Sequence, residues 1–429
     1  MFPIIASSVV FLSVLFLIFS EKLNRTIASL AGAILVVVFG IIFDFYSEAE
    51  ALASIDFNTI GLLMGMMIIV SILEPSGFFQ FLAIKVGKLS KGKPIRMLLF
   101  LGTITTVVSM FLDNVTTVVL IAPVTMLLCE ILGINSQPFL MAEALLSDTG
   151  GVATLVGDPP NILIGSAAGL TFMDFVTHSL PIVIIVWFVA LAILIFLFRK
   201  DLAIKPTNLE VLLDLQPQDA LTDAKLAKKV LFVILGMIIL FLLEEYLHIQ
   251  PSMVALGGAA VALILVRPSI QDTLKRVQWD VLIFFGALFV IIGGMQFAGV
   301  FDGFIRLAVY IKNLPPVVLG LIILWIVALL SMVVDNVPIT IALIPVIHGF
   351  GSAGIPTGPL WWALVFGAGF GGNGTIIGST ANIVVTSLSE KTKNPITPKV
   401  WNKRGFPVMI GTTIAASICY LLIFGVFGK

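Results

Sequence analysis

Charge is scarce in this chain. Of its 429 residues, 24 are Lys or Arg and 24 are Asp or Glu, together 11%, where a soluble domain carries roughly 25%. With 59% hydrophobic residues and a mean hydropathy of +1.14, a soluble fold of this size has too little interior to hide its apolar surface. A soluble enzyme, a nucleic-acid binder and a disordered chain are excluded, and an integral membrane protein with many helices is implied. Cysteine is nearly absent: Cys129 and Cys419 supply neither a disulfide framework nor a thiolate metal cluster. The three histidines, His178, His248 and His348, are too scattered for a zinc site. There is no P-loop, no nucleophile elbow and no His/Glu ligand cluster, so neither enzyme chemistry nor a metal or cofactor is expected.

What the chain has is apolar length. Windows of about 20 apolar residues, enough to cross roughly 30 Å of hydrocarbon, place spans near 3–20, 25–43, 57–75, 138–168 and 179–198. A second set falls near 229–247, 251–267, 280–297, 358–388 and 406–427. The first stretch, MFPIIASSVVFLSVLFLIFS, lacks a cationic n-region and a small-residue cleavage site, and reads as a span. Two further apolar stretches, 94–133 and 315–349, are interrupted by polar residues around Asp113 and Asp335. Each reads as a re-entrant hairpin of two half-helices. With ten crossings and two hairpins, every basic residue except Arg306, Lys312 and Lys429 falls in or beside six loops, 21–25, 76–96, 133–137, 199–228, 267–279 and 389–405, on one side. By the positive-inside rule that side is the cytoplasm, which puts both termini outside and the 199–228 loop inside. Reading either hairpin as two crossings would spoil the split.

The two halves repeat. FNTIGLLMG at 57–65 aligns with WDVLIFFGA at 279–287, and LDNVTTVVLIAPV at 112–124 with VDNVPITIALIPV at 334–346, both at an offset of 222. ATLVGDPPNIL at 153–163 aligns with GTIIGSTANIV at 374–384 at an offset of 221. Each unit holds an odd number of crossings, so the second is inverted. The expected fold is an all-α polytopic membrane protein: a first repeat at 1–200, a cytoplasmic linker at 201–228 and a second, inverted repeat at 229–429. Inverted repeats with interrupted helices at matched positions are the signature of secondary transporters, with the site at the midplane. A structural bundle without cargo has little reason to place polar breaks at matched depths, because irregular backbone exposed to lipid is costly.

The hairpin tips are Asp113-Asn114 and Asp335-Asn336, each opening a second half-helix whose free N–H groups point at the membrane centre. Each Asp can serve as an N-cap, yet a neutral residue would cap without a membrane-buried charge, and an ionisable group at that depth is a functional hypothesis. Each hairpin is followed by a segment broken by glycine and polar residues, SDTGGVATLVGDPPNIL at 147–163 and FGGNGTIIGSTANIV at 370–384. Pro159 and Pro160 cannot sit inside an intact helix, and unwound backbone there offers carbonyls to a cation. The candidate solute and ion contacts are Asp113, Asn114, Thr116, Thr154, Gly157, Asp158 and Asn161, with Asp335, Asn336, Asn373, Thr375, Gly378, Ser379 and Asn382. Asp113, Asp335 and Asp148 are the candidate proton-coupling residues. Some of the glycines and prolines equally suit helix packing. The ionisable residues at membrane depth are all acidic: Glu74, Glu130, Glu143 and Asp148 besides the three aspartates above. Glu74, Glu130 and Glu143 lie nearer span ends, within reach of the interface. An all-acidic interior favours proton or sodium coupling with a cationic or neutral cargo.

LDNVTTVVLIAPV, GGVATLVGDPPN and GGNGTIIGSTAN resemble the ion transporter superfamily, in particular its arsenite-permease/sodium–proton antiporter branch, which includes the melanosomal P protein and bacterial relatives. The resemblance spans most of the chain and implies a homodimer with a fixed scaffold and a moving transport domain, working by elevator-like alternation. In the dicarboxylate branch each tip reads Ser-Asn-Thr. Here the matching positions are Asp113, Asn114, Val115 and Asp335, Asn336, Val337, a departure that points away from sodium-coupled dicarboxylate uptake and towards proton-linked efflux.

The expected partners are therefore a small inorganic solute, a coupling proton or sodium ion, and the lipid bilayer of the cytoplasmic membrane. Arsenite, as neutral As(OH)3, suits hydroxyl, amide and carboxylate groups. Sodium–proton antiport is the alternative and organic-anion transport the third reading. The 199–228 loop is too short for a nucleotide-binding domain and reads as a linker; a separate cytoplasmic ATPase partner is left open. The segment 78–93 reads as an amphipathic surface helix, with its repeat partner at 300–312 on the opposite surface.

Overall fold

The computed structural model describes residues 2–19, 23–303 and 313–426, and no strand occurs among them. The first half builds α1 (Phe2–Phe19), α2 (Arg25–Ile42), α3 (Phe57–Leu73), the surface helix α4 (Phe78–Leu89), α5 (Pro94–Ser109), α6 (Asn114–Leu132), α7 (Gln137–Gly151), α8 (Pro159–Ala168) and α9 (Leu180–Leu197). The second half builds α10 (Ala224–Leu242), α11 (Pro251–Val266), α12 (Trp279–Phe297), α13 (Pro316–Ser331), α14 (Asn336–Ser352), α15 (Gly358–Gly371), α16 (Thr380–Ser389) and α17 (Pro398–Tyr420). By length and composition alone, Arg25–Ile42, Phe57–Ser76, Asn114–Leu132, Phe172–Leu197, Trp279–Phe297 and Pro398–Phe424 could cross a membrane. The outward faces of the long apolar helices stay apolar, as lipid contact requires: Phe188 on α9 is 62% exposed, and Phe16 on α1, Phe232 on α10 and Ile264 on α11 are also exposed.

α5 and α6 meet at Asp113, and α13 and α14 at Asp335, the positions where the sequence places the two tips. Pro94 opens α5 at a position where its missing N–H costs nothing. Gly133, at φ +65, ends α6 in the left-handed conformation that glycine tolerates. Both ends of this hairpin meet the linker: a Cβ on Gly92 would crowd Leu209, and one on Gly133 would come within 2.5 Å of Thr207 Oγ1. Entry and exit are thus on one face, as a re-entrant hairpin demands. In the second half Tyr420 of α17 bridges α13 and α15: its hydroxyl donates to the Pro359 carbonyl and its phenol end lies against Gly320.

The stretches expected near 138–168 and 358–388 are each two helices, α7–α8 and α15–α16, separated by unwound backbone at 152–158 and 372–379. The basic loops converge on one face. Lys88 Nζ donates to the Leu215 carbonyl, Asn135 Nδ2 to Asp201 (3.0 Å), Gln137 Nε2 to the Pro395 carbonyl (3.0 Å), and Arg276 pairs with Glu74 (3.1 Å). The linker is less plain than its sequence: Leu209–Asp214 is a short helix that buries Leu212. Of the repeat partner expected at 300–312, residues 304–312 lie outside the described residues.

Two packing groups follow the repeat. α2 lies on α12 and, at the matched positions, α11 lies on α3, with α1 and α10 completing this group. In the other group α5 packs on α7 and α13 on α15, while α6 packs on α16 and α14 on α8, so each hairpin touches the break of the opposite half.

Candidate functional site

The two halves build their breaks from the same bonds. Asn161 Nδ2 donates to the carbonyls of Gly151 (2.9 Å) and Thr154 (2.8 Å); its mate Asn382 donates to those of Gly372 (3.0 Å) and Thr375 (3.0 Å). The hydroxyls of Thr154 and Thr375 donate to the carbonyls of Met110 and Met332, which tie each break to its own hairpin. Gly157 and Gly378 lie where backbone meets backbone: a Cβ there would come within 2.6 Å of the Gly151 carbonyl oxygen and 2.5 Å of that of Gly372. The breaks are thus braced by side chains and not merely unwound. Asn161, Asn382, Thr154, Thr375, Gly157 and Gly378 shape the site from behind.

In front of the breaks the tips face a cavity of about 180 Å³. Asp113 caps α6, accepting from the Thr116 N–H (2.9 Å) and hydroxyl. Asp335 caps α14, accepting from the Val337 N–H (3.1 Å) and, with its other oxygen, from the Thr380 hydroxyl (2.9 Å). Asn114 Nδ2 donates to Asp148 Oδ1 (2.7 Å), which also accepts from Ser379 Oγ (2.9 Å), and Asn336 Nδ2 donates to Asp158 Oδ2 (3.0 Å). The cavity is lined by Asp113, Asn114, Thr116, Asp158, Asp335, Asn336 and Ser379 among the expected residues. Asp148 lies beneath Asn114 and Ser379, and Asn373 is buried behind the cavity.

The expectation of an all-acidic interior needs correction. Arg25 and Arg276 both line the cavity, carried there by the ends of helices that border loops. Arg276 pairs with Glu74 at 3.1 Å; Arg25 Nη1 is 4.0 Å from Asp335 Oδ2 and donates to Thr380 Oγ1 at 3.3 Å. Both arginines are committed to acidic or hydroxyl partners, and both are partly exposed at the rim. Of the outlying glutamates, Glu130 is exposed and Glu74 sits at the rim, but Glu143 is fully buried, accepting from the Thr125 hydroxyl. Thr380 and Gln278 were missed. Thr380 had a signal: it stands in the GSTAN run at the position that Pro159 fills in the first repeat. Gln278, whose Nε2 reaches Thr116 Oγ1 at 3.4 Å, had none. Among the described residues no three His, Cys, Asp or Glu side chains are arranged to hold a metal.

The CitMHS family, described as "Citrate transporter", matches residues 15–367. The chain belongs to this family. As a CitMHS member it is similar to the "46 kDa membrane protein" of Mycobacterium leprae, 39% identical across 95% of this chain and 96% of that one. It is likewise similar to the "uncharacterized transporter" Rv2684 of Mycobacterium tuberculosis, 38% identical across 96% of each. The human P protein is 32% identical across 95% of this chain and 58% of its own length. The fold is similar to that of the YdaH transporter of Alcanivorax borkumensis, with a TM-score of 0.63 and 16% identity across 90% and 89% of the two chains. The chain is therefore a membrane transporter and not an enzyme.

Proposed function

We propose that this CitMHS member is a proton-coupled secondary transporter that exports a small inorganic solute, arsenite or antimonite first, across the cytoplasmic membrane. The observation that carries the reading is that both tips are capped by their own carboxylates. A helix N-terminus is a ready anion site, but here Asp113 and Asp335 each already take one N–H at their tip and place a carboxylate where an anionic cargo would dock. A further negative charge is repelled, while a neutral, hydroxylated solute meets carboxylate acceptors and the amides of Asn114 and Asn336. The cavity volume suits a solute of a few heavy atoms.

The two packing groups support an elevator-like alternation. α5–α9 and α13–α17 form the mobile transport domain, and α1–α3 with α10–α12 the scaffold through which two copies pair. The repeats divide at the 201–228 linker. The rim at Arg25, Glu74, Arg276 and Gln278 belongs to the basic loops, so the cavity opens to the cytoplasm in this conformation, ready to load for export.

Sodium–proton antiport is the second reading, favoured by the carboxylate and amide oxygens that Asp113, Asn114, Asp158, Asp335 and Asn336 bring to a lining without thiols. The family's printed description favours citrate, and Arg25 and Arg276 would be its natural partners, but both are already engaged by Glu74, Asp335 and Thr380. The test is a flux panel in proteoliposomes with arsenite, antimonite, sodium and citrate under imposed proton and sodium gradients. Arsenite or antimonite should move against the proton gradient, and Asp113→Asn and Asp335→Asn should abolish coupling while the protein stays folded. Wild-type coupled rates in both variants, or citrate as the only mobile solute, would overturn the reading.

A further inference from the structure

Asp148 and Asn373 are left unexplained by the tips. Asp148 Oδ1 takes two donors, but Oδ2 has no hydrogen-bond partner, and neither Oδ1 nor Nδ2 of Asn373 has one. Asp148 is 2% exposed and Asn373 0%. An unpaired buried polar group costs about 1–3 kcal/mol, so native structures rarely leave one without an occupant or a purpose.

The repeat shows that these two residues face one another. At the offset of the breaks, Asp148 corresponds to Gly369, and Asn373 to Val152. A Cβ on Gly369 would run into Val152 Cγ2, so position 369 points at position 152 of the other half. The same relation applied to their mates points position 148 at position 373. The packing of α7 against the Gly372–Gly374 turn agrees. In one half the meeting is glycine against valine, closed and apolar. In the other it is carboxylate against carboxamide, with no hydrogen bond between them.

We propose that this unpaired carboxylate and carboxamide bind a dehydrated sodium ion, with Asp148 Oδ2 and Asn373 Oδ1 as its ligands. Thr117 Oγ1 and Asn382 Oδ1 are also buried without partners, on helices α6 and α16 that pack against each other and against α7, and they supply further neutral oxygens. One carboxylate with neutral oxygens balances a single positive charge, which selects an alkali ion over a divalent metal. The ion is wired to the cargo side, because the other oxygen of the same carboxylate holds Asn114 at the tip and Ser379 at the opposite break. This deepens the ion-coupled reading above, on which its consequence for transport rests; binding itself does not depend on it.

The experiment is thermal unfolding of the purified full-length protein in detergent, in sodium chloride against choline chloride at equal ionic strength. Wild type should gain at least about 2 °C in Tm at tenfold excess over the sodium dissociation constant. Asn373→Val, which installs the residue of the repeat mate, and the near-isosteric Asp148→Asn should lose that gain, and Asp113→Asn should keep it. The double variant Asp148→Gly/Asn373→Val, which recreates the apolar pair, should fold and ignore sodium. No sodium-dependent gain in wild type overturns the proposal, as does a gain that survives in Asn373→Val and Asp148→Asn. A sodium shift in wild type alongside a flux panel without cation coupling leaves the site standing and defeats only the transport reading.

Discussion

Asn336, at the tip of the second hairpin, donates its amide to Asp158 in the break of the first repeat, at 3.0 Å. Asn114, its repeat mate, donates instead to Asp148, at 2.7 Å. Each tip asparagine is therefore held by a carboxylate, and both carboxylates come from the first repeat. Their mates in the second are Ser379 and Gly369. The duplication gave two equal hairpins; the charge that anchors them was kept in one half. Asn336→Ala leaves Asp158 buried without its donor, and a hydrogen bond to a charged group contributes roughly 1.5–3 kcal/mol. The expected result is a transport rate lowered about tenfold or more, with a monodisperse, folded protein. Rates in proteoliposomes beside size-exclusion profiles decide it; an unchanged rate shows that this bond is structural only.

The glycine braces make a stability prediction. Gly157→Ala and Gly378→Ala each drive a Cβ to within 3 Å of a backbone carbonyl, which cannot swing aside as a side chain can. Overpacking of this kind costs typically about 1–3 kcal/mol. Both variants should lower the Tm of the purified protein by several degrees, and to similar extents because the two environments match. Gly257→Ala, where a Cβ meets nothing within 4 Å, is the control and should leave the Tm unchanged or slightly raised.

The two capping aspartates differ in a way that the repeat exposes. In the first half the position three residues after the cap is Thr116 and the break carries Pro159; in the second these are Pro338 and Thr380. Pro338 has no N–H to offer, so Asp335 caps the Val337 N–H and turns its second oxygen to Thr380 across the break. Asp113 finds both donors on its own helix in Thr116. Thr380→Val therefore cuts a contact between two elements and removes the hydroxyl that bridges Arg25 and the aspartate, whereas Thr116→Val cuts a contact within one helix turn. We expect Thr380→Val to slow transport about tenfold and Thr116→Val less than threefold, measured as initial flux. The reverse order would refute the assignment of the two hydroxyls.

Much of this arrangement was legible in the chain. The all-helical fold, both polar tips and both breaks follow from apolar length, from proline and glycine, and from the matched offsets, because each is a local consequence of backbone hydrogen bonding in a medium without water. The aspartates were legible because a charge in a long apolar run has few bland explanations. Arg25 and Arg276 were not. Arg25 opens α2 and Arg276 ends the short helix Ile270–Arg276, which packs on α3; their place in the cavity depends on how these elements sit beside the two tips, and no local pattern encodes that. The burial of Glu143 was hidden for the same reason: its position near a span end suggested the interface, and only the packing of α6 on α7 encloses it beside Thr125.

The cysteines allow the cargo reading to be tested against its most obvious rival chemistry. Soft arsenic(III) binds thiolates, and a thiol-based arsenite carrier would place several cysteines in the cavity. Here Cys129 lies on α6 with 1% of its surface exposed and Cys419 on α17 with 7%, on different helices and outside the cavity lining. Both behave as small apolar fillers. The variant Cys129→Ala/Cys419→Ala should cost about 1 kcal/mol or less per site through the small cavity each leaves. Arsenite flux in proteoliposomes should stay within about twofold of wild type, and a maleimide should fail to inhibit the native protein. If arsenite flux vanishes in this variant while sodium flux persists, the oxygen-ligand account of arsenite recognition is wrong. If both persist, the result supports the proposed recognition of cargo by the aspartates and asparagines of the two tips.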